Sequence, residues 1–278
     1  MKLEIFNVEH GQCALLTSDI GETLLLDCGH NSSTGWRPST HLRNAGIQAL
    51  DWFVVTNYDE DHVNDLPNIM ASFPPRLLLR NKSVSSSDLY QLKSETGCGN
   101  GIDALAGMIN RYTGAASSLP SFGGMKLKSF CNKYPDHFTD ENNLSLVVIL
   151  EWPNFKICFP GDMEAAGWRK LLERQDFSDA MSGVNVLVAS HHGRENGCCS
   201  ELFSDTGMQP QLIVISDGDI QYKTQNTVSW YAGKVANNGV ELNGRPRKVL
   251  TTRSDGQIDF SINPSGATVD IGGVSAFA

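Results

Sequence analysis

Apolar positions along this chain gather in short runs, several of them alternating with polar residues, rather than in long helical stripes. Met1-Lys2-Leu3-Glu4-Ile5-Phe6 alternates like a half-buried strand. On this pattern strands are predicted at about residues 2–8, 13–17, 23–27, 52–56, 76–80, 144–150, 155–159, 184–189, 211–215, 247–252 and 257–262. Helices are predicted at about 40–49, 62–72, 102–112, 164–174 and 226–237, with turns of Gly, Asn and Asp between the elements. Many strands interleaved with few helices suit two mixed sheets packed face to face with helices outside. The predicted fold class is α/β, an αββα four-layer sandwich forming one domain over residues 1–278. The chain divides near residue 140 into halves that each open with paired strands. Residues 83–135, with Ser85-Ser86-Ser87, Gly97 to Gly101 and Ser117-Ser118, read as an irregular insert around one helix. That insert either shapes a substrate cleft or makes a passive surface excursion.

The chemistry lies where predicted strands stop. Asn57-Tyr58-Asp59-Glu60-Asp61-His62 follows an apolar strand, Trp52 to Val55, and places Asp59, Asp61 and His62 within four residues. Continued strand alternation would aim residues 57, 59 and 61 the same way. Two carboxylates and an imidazole there suit a divalent cation better than they suit a core. Taken alone, the segment reads equally well as an acidic turn, with Asp61 capping a following helix. Phe159-Pro160-Gly161-Asp162 and Ser190-His191-His192-Gly193 also follow apolar strands, and the three clusters together favour a metal. Adjacent side chains at a strand end diverge, so one histidine of His191-His192 ligates while the other faces substrate.

The same residues carry a family resemblance. A V-x-x-G element (Val8 to Gly11), a strand ending in Asp27-Cys28-Gly29, then x-x-D-x-D-H, Gly-Asp and His-His-Gly in that order resemble a metallo-β-lactamase-fold hydrolase. Within that superfamily the chain most resembles the hydrolase domain of the DNA-uptake competence protein ComEC and its stand-alone relatives. Asn142-Asn143-Leu144-Ser145-Leu146-Val147 and Thr252-Arg253-Ser254-Asp255-Gly256-Gln257-Ile258 are similar to that group's N-x-x-S-L-V strand and T-x-x-D-G-x-I hairpin. The resemblance runs from about residue 3 to about residue 262. It implies that Asp59, Asp61, His62, Asp162 and His192 are the metal ligands, Asp162 being the carboxylate able to bridge two ions. It also implies that His191 faces the substrate, the reverse assignment of the two histidines staying open. Asp27 is expected to orient a ligand histidine. The superfamily's H-x-H-x-D-H cluster reads Asn57 and Asp59 at its first two positions, so the first metal position is expected to be weak.

Composition narrows the reading. Apolar content of 40% and charged content of 19% suit a folded domain. No stretch is long and apolar enough for a membrane span, and the N-terminus lacks a signal peptide's apolar run. Seven cysteines without CxxC spacing read as reduced thiols, so a cytoplasmic location is expected. A net charge of −9 argues against a broadly DNA-coating surface, although local basic patches remain around Arg76–Lys82, Lys126–Lys133 and Arg245–Arg253. No G-x-S-x-G elbow, Walker loop or G-x-G-x-x-G turn occurs.

The expected function is hydrolysis by a metal-activated water, with a phosphodiester, single-stranded DNA being a candidate, as substrate. Asp61 and His191 are the expected catalytic groups, with one or two divalent ions, zinc or manganese, magnesium staying open. The rivals are a non-catalytic binding or regulatory relative, in which Asn57 marks a degenerate site, and a hydrolase of small phosphoesters or lactones. A protein partner is open.

Overall fold

A computed structural model of the protein describes residues 1–95, 97–114 and 120–272. The first sheet is built from β1 (Lys2–Ile5), β2 (Ala14–Thr17), β3 (Thr23–Leu26), β4 (Trp52–Val54) and β5 (Leu77–Leu79). The second follows with β6 (Lys126–Cys131), β7 (Leu146–Trp152), β8 (Phe155–Phe159), β9 (Val186–Val188) and β10 (Leu212–Ile215). A small hairpin, β11 (Val240–Leu242) and β12 (Arg245–Arg247), precedes β13 (Val249–Thr251). A last hairpin is made by β14 (Ile258–Asn263) and β15 (Gly266–Ile271). The seven-stranded sheet has the order β15-β14-β1-β2-β3-β4-β5, and the six-stranded sheet β13-β10-β9-β8-β7-β6. Both are mixed: β3, β4 and β5 run parallel, as do β8, β9, β10 and β13, and the other pairs are antiparallel.

Alternation along these strands separates three apolar layers. Leu24, Leu26 and Val54 from one sheet meet Val148, Leu150, Phe159, Val188 and Val214 from the other. Their neighbours Leu15, Leu25 and Phe53 face outward against Leu66, Ile69, Leu105 and Met108, on the helices Leu66–Ser72 and Asn100–Arg111. On the far side Val147, Ile149, Leu187 and Ile213 meet Trp168, Leu171, Phe177 and Leu202 of the helices Ala165–Leu172, Gln175–Met181 and Ser200–Thr206. Strands covered on both faces need apolar residues at successive positions, which is why they read as runs. The αββα order predicted above is the architecture of the chain, the layering expected of the metallo-β-lactamase fold.

The structure departs from the pattern reading where elements are exposed. The stretch read as an irregular insert carries the helix Ser86–Leu92 and the edge strand β6, whose lysines face water and hide its strand character. The helix has a legible start, because Ser85 and Asp88 form a reciprocal capping box. Among the insert's residues, Ser117 and Ser118 lie outside the described ones. The halves also do not part cleanly at 140: β14 returns to pair with β1, Lys2 opposite Ser261. Among the described residues no helix is long and apolar enough to cross a membrane.

Leu150 is fully buried in the central layer. Leu150→Ala is expected to lower unfolding stability by about 2–5 kcal/mol, read as a shift of the denaturation midpoint in urea.

Candidate metal centre

The site forms where the C-terminal ends of β4, β8 and β9 come together. Thr56, just past β4, is its anchor. Its carbonyl accepts from Leu146 N across the two sheets at 2.7 Å, and its amide donates to Asp27 Oδ1 at 2.8 Å. The Thr56 hydroxyl donates to Asp27 Oδ2, and His62 Nδ1 lies 2.8 Å from the same oxygen. Asp27 is fully buried, so this carboxylate fixes which nitrogen of His62 carries the proton and turns Nε2 inward. His192 is oriented likewise, Nδ1 donating to the Ser216 carbonyl at 3.1 Å.

Asp162 stands between the two inward nitrogens. Its Oδ1 lies 3.0 Å from His62 Nε2 and its Oδ2 3.3 Å from His192 Nε2. Asp61 Oδ2 is 3.6 Å from His192 Nε2, and single ligand atoms of Asp61, His62 and His192 lie within 4.8 Å of one another. His62 Nε2, His192 Nε2 and Asp162 Oδ1 are buried and face one another without a well-directed hydrogen bond. Burial opposes charge on His62, but Asp162 and Asp27 outweigh it and hold the imidazole well above its usual range. Asp162 mirrors this: burial alone would raise it, while His192 and His62 hold it well below the usual carboxylate range.

Close approach of three loops makes room for the cluster. A methyl group on Gly29 would overlap the carbonyls of Asp61 and Gln12, and one on Gly11 would overlap that of Asp61. Gly161 adopts φ 59° and lies against Thr56, where a Cβ would be 2.8 Å from the Thr56 oxygen. His191 and His192 themselves take φ 51° and 53°, a sharp left-handed turn that separates their rings.

The structure thus brings Asp61, His62, Asp162 and His192 together. His191 stands at their margin, Nε2 3.9 Å from Asp162 Oδ2 and Nδ1 3.6 Å from Glu164 Oε1. Asp59 is directed elsewhere, to the ammonium of Lys93. Strand alternation does not extend through this segment as the sequence suggested. The strand stops at Val54 and a short helix, Glu60–Val63, starts with Asp59 at its N-cap position, so Asp59 and Asp61 diverge. Glu60 points a third way, accepting from the amides of Gly101 and Ile102 at the start of the helix Asn100–Arg111. Asn57 spends its oxygen on Asp59 N at 2.7 Å and its amide nitrogen on Asn142 Oδ1 and Ser145 Oγ, at 3.2 and 3.0 Å.

Sequence reasoning passed over Lys93, Glu141 and Glu164. Lys93 is 3% exposed and lies 2.7 Å from Glu141 Oε1. Burial would lower its pKa, but Asp59 and Glu141 raise it above the usual lysine value. Asp217 is fully buried and accepts from Arg253 at 2.6 Å, with His10 Nδ1 at 2.7 Å.

No family model matches the sequence, and no curated protein matches it. Among solved structures the chain is similar to the metallo-β-lactamase fold protein YhfI from Bacillus subtilis, at 10% identity and a TM-score of 0.48, over 98% of this chain and 99% of that one. It is also similar to Igni18, a metallo hydrolase from the archaeon Ignicoccus hospitalis, at 13% identity and a TM-score of 0.49, over 95% and 100% of the two chains.

Gly29→Ala is expected to cost about 1–3 kcal/mol of stability, because two backbone carbonyls must move. Equal denaturation midpoints for variant and wild type would show that the loops are not held at contact.

Proposed function

We propose that this chain is a metal-dependent hydrolase acting on a phosphodiester. The observation that carries the reading is the convergence of buried ligand-type atoms, His62 Nε2, His192 Nε2 and Asp162 Oδ1, which face one another without a well-directed hydrogen bond, beside the half-exposed Asp61. Buried polar atoms so placed are costly, and a divalent cation satisfies all of them at once. Asp61, His62, Asp162 and His192 would hold it. Two imidazoles and two carboxylates suit zinc or manganese better than magnesium, which prefers oxygen and water.

When bound, such a cation supplies a water of lowered pKa and a positive charge for the phosphate oxygens. The remaining tasks fall to the chain. Asp61, 39% exposed at the side chain, is the carboxylate placed at the mouth to take a proton from an attacking water. His191 is nine-tenths buried, and its Nδ1 has no partner. Burial holds its pKa below the usual imidazole value, against the pull of Asp162, which keeps the ring neutral and able to donate a hydrogen bond to a phosphoryl or leaving oxygen. Asp27 and the Ser216 carbonyl keep the two ligand rings from turning.

The reading is tested by separating the histidines. His192→Ala is expected to lose both metal and turnover. His191→Ala is expected to keep its metal and lose roughly 10²–10⁴-fold in kcat on bis-p-nitrophenyl phosphate and single-stranded DNA. Full metal content in His192→Ala would remove this loop from the site, and a metal-replete wild type inactive on every phosphoester and lactone tried would favour a binding role.

Asp162→Asn provides a second check. An amide cannot offer an anionic oxygen to each side, so bound metal in elemental analysis is expected to fall and hydrolysis to disappear.

A further inference from the structure

The segment where the resemblance places a first metal position does not offer an ion free ligands. Asn57 has both ends of its amide engaged, and Asn142 is tied to Asn57 and, through its own nitrogen, to Glu164 Oε1 at 3.1 Å. The two carboxylates left there, Asp59 and Glu141, converge on Lys93 instead. The lysine side chain is 4% exposed, against 31% for Asp59 and 21% for Glu141, so the ammonium is the inner member of the trio. It comes from the C-terminal end of the helix Ser86–Leu92, in the insert between the two sheets. A buried lysine is costly unless it is paired, and this one has a carboxylate on each of two sides.

We propose that Lys93 takes the place of a second metal ion. The centre is then mononuclear, with one exchangeable cation among Asp61, His62, Asp162 and His192 and one fixed cation, the Lys93 ammonium, neutralising Asp59 and Glu141. Asp59 is accordingly a positioning residue bound to lysine rather than a metal ligand, and the insert supplies one of the site's two cations. This inference rests on the hydrolase reading for its single ion and goes beyond it in assigning the stoichiometry and the role of Lys93.

The test is metal content per chain, by elemental analysis and calorimetry with manganese or zinc on the purified full-length protein. Wild type is expected to bind one ion, and Asp59→Asn to retain that ion. Lys93→Met frees two carboxylates and is expected to gain a second, weaker ion, whereas Lys93→Arg keeps the charge and stays at one. Two ions in wild type would overturn the inference and leave the hydrolase reading standing; no ion would overturn both. Loss of metal in Asp59→Asn, or a folded Lys93→Met that stays at one ion under millimolar metal, would overturn the inference alone. Should Lys93→Met fail to fold by circular dichroism, the wild-type and Asp59→Asn stoichiometries still decide it.

Discussion

The buried contact between Asp27 and Thr56 is the constraint on which the rest of the centre depends. Thr56 leaves β4 with its backbone shared between both sheets, and Asp27 holds that backbone, the threonine hydroxyl and the His62 ring together. A carboxylate with no exposure is tolerable only when its oxygens are occupied by donors, and here three donors converge on it. That requirement makes the joint rigid: nothing in it can turn without orphaning a charge. His62 inherits the rigidity, and Asp162 reaches the joint through Ser145, whose hydroxyl oxygen accepts from Asp162 N at 3.0 Å.

Strain gathers at the same end of the sandwich. Asp27, His191 and His192 all lie in the left-handed region, where a side chain costs roughly 1–2 kcal/mol per residue. Three apolar layers hold the strand ends close enough to impose those angles. The histidine turn separates two adjacent imidazoles, so that one enters the cluster and the other lines its margin.

Much of the fold was legible in the sequence because its strands are buried on both faces. Runs such as Leu212–Ile215 or Leu146–Leu150 have no other reading once turns bound them. Among the elements that escaped, β6 and β15 are edge strands with exposed polar positions, and their hydrophobic pattern is correspondingly faint; the hairpin β11–β12 and the helices Ser86–Leu92, Gln175–Met181 and Ser200–Thr206 are short. At the site, strand-end position flagged Asp61, His62, Asp162 and His192, which the structure gathers together. It could not separate Asp59 from Asp61, since that depends on where a helix begins. Nor could it find Lys93, which lies 34 residues from Asp59 on an element whose only signal was a capping box.

The pairing of β1 with β14 bears on how the chain folds. β1 keeps one edge unpaired until residues 258–263, far along the chain, fold back onto it. An open strand edge is a template for wrong partners, and contacts this distant in sequence form slowly. Charged residues at Lys2 and Glu4 on that edge oppose such mispairing until Asp259 arrives and its carboxylate joins Lys2 at 3.1 Å. Until β14 folds back, one border of the first sheet is guarded by charge rather than by a neighbouring strand.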